Sequence, residues 1–239
     1  MNRYSTKEVS ELSTIPLPPM TDSYMPVSHT DLVLSIEKHI PRYWSLQNRT
    51  FDMAREGKQM FGVMNYKALG IHNNISIGFR NSYDKSVAVG LCSGAQVVVC
   101  SNLMFVGDII KVRKHTTNVW DDIDDIITQV ITRADIHAEE AQNDLIMFEQ
   151  VGIDEIDAAK IIGDAFLNKD IINGVQLNKI KSSWNDGDYS PHNALDNKFG
   201  ERTLYALYGA ATDALKSSHP ADALNNYTEL HEHFKEYAI

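Results

Sequence analysis

Lys111, Arg113 and Lys114 stand close together in the first half of the chain, and Arg80 and Lys85 flank Tyr83 a little earlier. Cations interleaved with aromatic rings suit one task above others. They hold single-stranded nucleic acid, with the cations tracking phosphates and the rings stacking on unpaired bases. Arg80, Lys85, Lys111, Arg113 and Lys114 are therefore the candidate phosphate contacts, and Tyr83 and Phe79 the candidate stackers. Lys67, next to Tyr66 at the end of an earlier strand, is a further cation of the same group. Phe79 is the weaker ring because it falls on the apolar side of its strand. Taken singly, each residue is also explained as a half-buried strand aromatic or a solvated edge cation. As a group they favour binding, without base-specific readout, since no recognition helix or zinc finger is visible.

Catalysis and metal binding find less support. Asp121, Asp122, Asp124 and Asp125 offer carboxylate oxygens to a hard cation, but the glycine and spaced ligands of a calcium loop are missing. Acidic residues at a helix start are explained by the helix dipole. His231 and His233 are two residues apart and do not share a helix face. His115, His137, Cys92 and Cys100 show no metal-ligand spacing either. There is no G-x-S-x-G, Walker loop, H-E-x-x-H or dinucleotide fingerprint. The expectation is a non-catalytic protein with no cofactor and no metal.

The elements that must position these residues follow from patterning. With 239 residues, 43% of them hydrophobic, the chain can bury an ordinary core. Residues 1–27, with Pro16, Pro18, Pro19 and Pro26, read as an extended arm over a surface or a neighbouring subunit. Ser28 caps a short helix that Pro41 ends. Residues 61–66 are a strand candidate. Ile75–Arg80 and Val87–Cys92 alternate and make a β-hairpin with one apolar face (Ile75, Ile77, Phe79, Val87, Val89, Leu91) and one small, flat face (Ser76, Gly78, Arg80, Ala88, Gly90, Cys92). A flat face of small residues suits a closely packed helix. Residues 96–100 and 109–115 are further strand candidates. From Trp120 the spacing turns helical, with helices expected to about Phe148, after Asp154, over Val175–Trp184, over Arg202–Leu215 and over Ala221–Tyr237.

The fold class expected is α+β: a small antiparallel sheet with a helix in residues 28–119, then an α-helical region in residues 120–239. Charge divides along the same line. Residues 1–119 hold 13 Lys+Arg against 9 Asp+Glu and residues 120–239 hold 9 against 23, so the halves carry +4 and -14 and the chain -10. Such asymmetry points to a polyanion-binding module joined to an acidic one.

Two resemblances add to this reading. Phe79–Ser86, Val98–Leu103 and Val112–Thr116, in that order, with Thr203–Thr212 as a C-terminal helix, resemble the blocks of a phage and plasmid protein family whose domain has no assigned function. The size and the basic-then-acidic layout are similar to the Drc-type cofactors, single-stranded-DNA-binding partners of RNA polymerase in bacteriophages with a giant virion RNA polymerase. That resemblance implies sequence-independent binding of unpaired template DNA and recruitment of a phage RNA polymerase, and no catalytic residue. The rival is an inhibitor or anti-defence protein acting on a host enzyme through its acidic surface. The arm makes a homo-oligomer the expected state. The short apolar runs, the absence of a signal-like N-terminus and only two cysteines lead to the expectation of a cytoplasmic protein away from membranes.

Overall fold

The computed structural model describes residues 3–22, 24–69, 74–96, 103–111, 119–186 and 202–238, without the side chains of residues 107, 108, 111 and 186. The order of elements is β1 (Tyr4–Thr6), α1 (Val9–Leu12), α2 (His29–His39), β2 (Ser45–Ala54), β3 (Gln59–Lys67), β4 (Asn74–Ser82), β5 (Gly90–Gln96), β6 (Leu103–Lys111), α3 (Val119–Gln150), α4 (Glu155–Leu167), α5 (Gly174–Asp186), α6 (Leu204–Leu215) and α7 (Pro220–Lys235). The fold is α+β, an antiparallel sheet followed by helices. The six strands lie in the order β1-β2-β3-β4-β5-β6, each pairing antiparallel with the next.

Local chemistry accounts for most helix starts. The Ser28 side chain accepts from the Asp31 N–H, that of Asp154 from Ile156 and Asp157, and that of Thr203 from Ala206, so each end satisfies exposed backbone donors. α7 begins with Pro220 behind a His219 cap. β1, α1 and β2 were not expected from the sequence. β1 is three residues long, α1 four, and Ser45–Asn48 at the start of β2 is exposed and polar apart from Leu46, because among the described residues no strand pairs with its outer edge. The arm is held against its own chain, with β1 pairing β2 and Leu12 and Val27 buried. The second strand of the expected hairpin, Val87–Cys92, is corrected to Gly90–Gln96, because Val87–Val89 belong to the loop after β4. Of the candidates at 96–100 and 109–115, Gln96 ends β5 and residues 109–111 end β6, while 97–100 and 112–115 lie outside the described residues.

Alternation puts Phe51, Met53, Met60, Met64, Ile75, Ile77, Phe79 and Leu91 on one face of the sheet. α3 packs against β4, β5 and β6 and α2 packs against α3, so this face is sealed by Leu32, Ile36, Ile123, Ile127 and Val130. On the opposite face lie Phe61, Val63, Gly78, Gly94 and Phe105, and α7 crosses it. The flat face is indeed met by a helix: a Cβ added at Gly78 would stand 2.4 Å from Phe105 Cζ and 2.9 Å from Leu224 Cδ1. One hydrophobic cluster runs from Leu12 to Phe234 and joins the sheet to the acidic helices.

The two histidines of α7 lock it on two sides. His231 Nε2 donates to Asp144 of α3 at 3.0 Å and its Nδ1 accepts from the Tyr208 hydroxyl of α6 at 3.0 Å. His233 Nε2 donates to the Ile161 carbonyl of α4 at 2.8 Å. Both rings are buried, and each is used as a tie between helices.

Candidate nucleic-acid interface

The cations and rings singled out by the sequence do not form one surface. Arg80, Tyr83 and Lys85 lie at one end of the sheet, and the backbone of Lys111 joins them there, since Lys111 pairs with Gly90 and Gly90 with Arg80. Lys67 lies at the other end of β3, six residues beyond the Phe61 that pairs with Arg80, or ~20 Å at strand rise. Arg113 and Lys114 fall outside the described residues, as does the Lys111 side chain.

Three of the proposed contacts are corrected by burial. Arg80 is 5% exposed beneath α7, where its Nη1 donates to Asn225 Oδ1 at 3.0 Å and to the Ala221 carbonyl at 3.3 Å. Burial lowers its pKa, against the pull of Asp222, and a guanidinium enclosed this way does not reach a phosphate. Phe79 is fully buried between Phe51 and Gly62, whose missing Cβ makes room for the ring. Tyr83 stacks on His29 with ring centroids 3.9 Å apart, and its hydroxyl accepts from the His29 N–H at 2.8 Å. Neither ring is open to a base. Lys85 stays exposed, with Nζ 4.2 Å from the centroid of the Tyr24 ring. Alternation could not foresee this because it says which side of a strand a residue takes, and nothing of which helix returns to cover that side.

Among the described residues, the same sheet face is open toward its other end. There, beside α7 and over β2 and β3, lies a cleft of about 360 Å³ lined by Asn48, Thr50 and Asp52 of β2, Phe61, Val63 and Asn65 of β3, Gln96 and Leu103. Lys7 of the arm and Lys216 and Ser218 of the α6–α7 turn complete its walls, with Ala223 and Tyr227 of α7. The floor is an amide ladder. Ser76 donates to Asn65 Oδ1 at 2.5 Å, Asn65 Nδ2 to Asn48 Oδ1 at 2.7 Å, and Asn48 Nδ2 to Gln96 Oε1 at 3.5 Å. Asn65 and Asn48 each spend one of their two amide hydrogens on the next amide and keep a second.

The charge of the cleft opposes that of the molecule. Its lining has two cations, Lys7 and Lys216, and one carboxylate, Asp52. Lys216 is paired with Asp213 at 2.9 Å, but Asp213 also holds Lys179 at 2.8 Å, so one carboxylate answers two ammonium groups. Burial alone would raise the Asp213 pKa, yet these two lysines hold it lowered. Ser218 Oγ accepts from Gln176 Nε2 at 2.9 Å and from Asn226 Nδ2 at 3.4 Å, which leaves its own hydrogen to donate. The Arg3 guanidinium donates to the Ser217 carbonyl at 2.9 Å and to that of Ser218, tying the arm to the turn. A site of this make-up takes a ligand that is anionic and offers both donors and acceptors.

Sequence reasoning missed Lys7, Asn48, Asn65, Gln96 and Lys216. The only trace was Asn48, Asn65 and Gln96 standing at strand positions where an apolar residue would be ordinary. Other polar groupings do not build a site. Ser93 Oγ and His137 Nδ1 are 2.7 Å apart, but Ser93 is 1% exposed beneath α3. Among the described residues no group of three or more His, Cys, Asp or Glu is placed to hold a metal ion, and no helix is long and apolar enough to cross a membrane. Comparison with known protein families, curated proteins and solved structures finds no match for this chain.

Proposed function

We propose that this chain is a non-catalytic, sequence-independent single-stranded-DNA-binding protein of a bacteriophage, a transcription cofactor that brings a phage RNA polymerase to unpaired template. The observation that carries the binding reading is the cleft beside α7, where lysines from two separate elements flank a floor of amides in a molecule of charge -10. Amides offer donors and acceptors to any base edge, which suits binding without sequence preference. The lysines suit phosphates. Exposed acids on α3 and α4, among them Asp121, Asp122, Glu139, Glu140, Glu149 and Glu155, keep a polyanion off the helical side and leave it to a protein partner. The phage setting and the polymerase rest on the family resemblance.

The test is fluorescence anisotropy with a short unpaired oligonucleotide across a salt series. Binding weakens as salt rises, and Lys7→Ala with Lys216→Ala lowers the slope by about 0.7 for each lysine. The same acidic surface favours a second reading, an inhibitor that binds a host enzyme. No binding of the oligonucleotide at low salt, with a stable complex formed by a host nuclease or polymerase, decides for the inhibitor.

A further inference from the structure

We infer that the cleft receives the terminal nucleotide of a single strand, entering from the Asn48 and Gln96 end, and that no strand runs through it. This rests on the nucleic-acid reading above and narrows it to one kind of ligand. The argument is geometric. Proteins that bind the middle of a strand present a groove open at both ends, along which successive nucleotides lie. Here one end is shut.

Two register positions beyond Asp52, the arm reaches Arg3, whose guanidinium bridges to the carbonyls of Ser217 and Ser218 and joins the sheet edge to the α6–α7 turn. Beside it, Phe61 and Tyr227 pack with ring centroids 6.4 Å apart, and Tyr227 also meets Phe105 edge-on at 6.1 Å. Past these rings α7 lies directly on Gly78 and Phe105, with no room for even a Cβ. Among the described residues the opposite end has no such cover, and Asn48 is exposed there in the first half of β2. A volume of about 360 Å³ is at the low end for small-ligand pockets and suits one nucleotide rather than several.

The chemistry of the walls follows the same plan. Phe61, Val63 and Tyr227 give the inner part apolar surface for a base, and Asn48 and Asn65 supply hydrogen bonds along its edge. Lys7 and Lys216 stand on separate walls, from the arm and the turn, and meet the phosphate. A terminal phosphomonoester carries up to two negative charges where an internal diester carries one, so two lysines favour the end of a strand over its middle.

Four ligands of one sequence test the inference: linear DNA with a 5′-phosphate, linear DNA with a 3′-phosphate, linear DNA with hydroxyl ends, and the covalently closed circle. One phosphorylated linear strand binds about tenfold or more tighter than the circle, and which of the two does so sets the polarity of entry. Lys7→Ala with Lys216→Ala brings that strand down to the level of the circle. Circle and linear strands binding equally would overturn the terminal-nucleotide inference and leave the nucleic-acid reading standing. Binding of none of the four overturns both.

Discussion

The two ends of the sheet are made from the same strands and have opposite fates. At the end formed by Gln59, Ser82 and Gly90, the polar residue Arg80 and the rings of Phe79 and Tyr83 lie under α7, α3 and α2, and every one is committed to packing. At the end formed by Asn48, Asn65 and Gln96, the polar side chains bond to one another and line a cleft. The difference teaches that a strand's outward side chains become a surface only where no helix returns to cover them. Arg80, Phe79 and Tyr83, which look functional in the sequence, were recruited into the core, whereas Lys85 stays exposed. Ordinary amides line the opening.

This contrast can be broken most forcefully at Phe79. As a core ring it costs about 3–5 kcal/mol of stability when truncated to alanine. Urea unfolding of Phe79→Ala measures that loss, and the folded fraction binds oligonucleotide as the parent does. A ring that stacked on bases would show the reverse, small in stability and large in affinity.

The next effect is one of acidity at the same closed end. His29 is fully buried, its Nε2 donating to the Gly57 carbonyl at 2.9 Å and its Nδ1 accepting from Asn81 at 3.0 Å. Burial lowers its pKa from 6.5 to about 4, although the Gly57 carbonyl opposes the shift. The unfolded chain takes up this proton below about pH 6.5 and the folded chain only near pH 4. Stability is therefore lost as pH falls through that window, by about 3 kcal/mol in total. Urea midpoints followed from neutral pH downward show the decline, and His29→Gln makes it shallower.

At the open end the balance reverses. Asn65→Ala removes the acceptor of the buried Ser76 hydroxyl and the donor to Asn48, a stability cost of about 1–2 kcal/mol. Its affinity for oligonucleotide falls by more than that of Phe79→Ala, although the protein is less destabilised. Equal affinities in the two variants would remove the distinction between the ends.

Much of the fold was legible from local chemistry. The caps at Ser28 and Asp154 and the stop at Pro41 placed helices closely, because a cap is decided within a few residues. The alternation from Ile75 to Arg80 and the small residues facing it gave the central hairpin and its need for a close-packed helix. β2 was not legible, since Ser45–Asn48 is an exposed polar edge whose pairing with β3 is a long-range event. The site was less legible still. Lys7, Asn48, Asn65, Gln96 and Lys216 are spread over most of the chain, and none of them carries a spacing that links it to the others.

From the sequence by itself came the α+β class, the helix boundaries, the flat strand face and the split of charge between the halves, all of which depend on neighbours within a turn or a strand. Only the tertiary structure decided that α7 buries Arg80, that α2 stacks His29 on Tyr83, and that the arm, the α6–α7 turn and the uncovered strand ends enclose one cleft. The physical reason is the range of the interaction. Alternation and capping act through the adjacent backbone, whereas the choice of which polar residues are covered is made by helices that arrive from a hundred residues away.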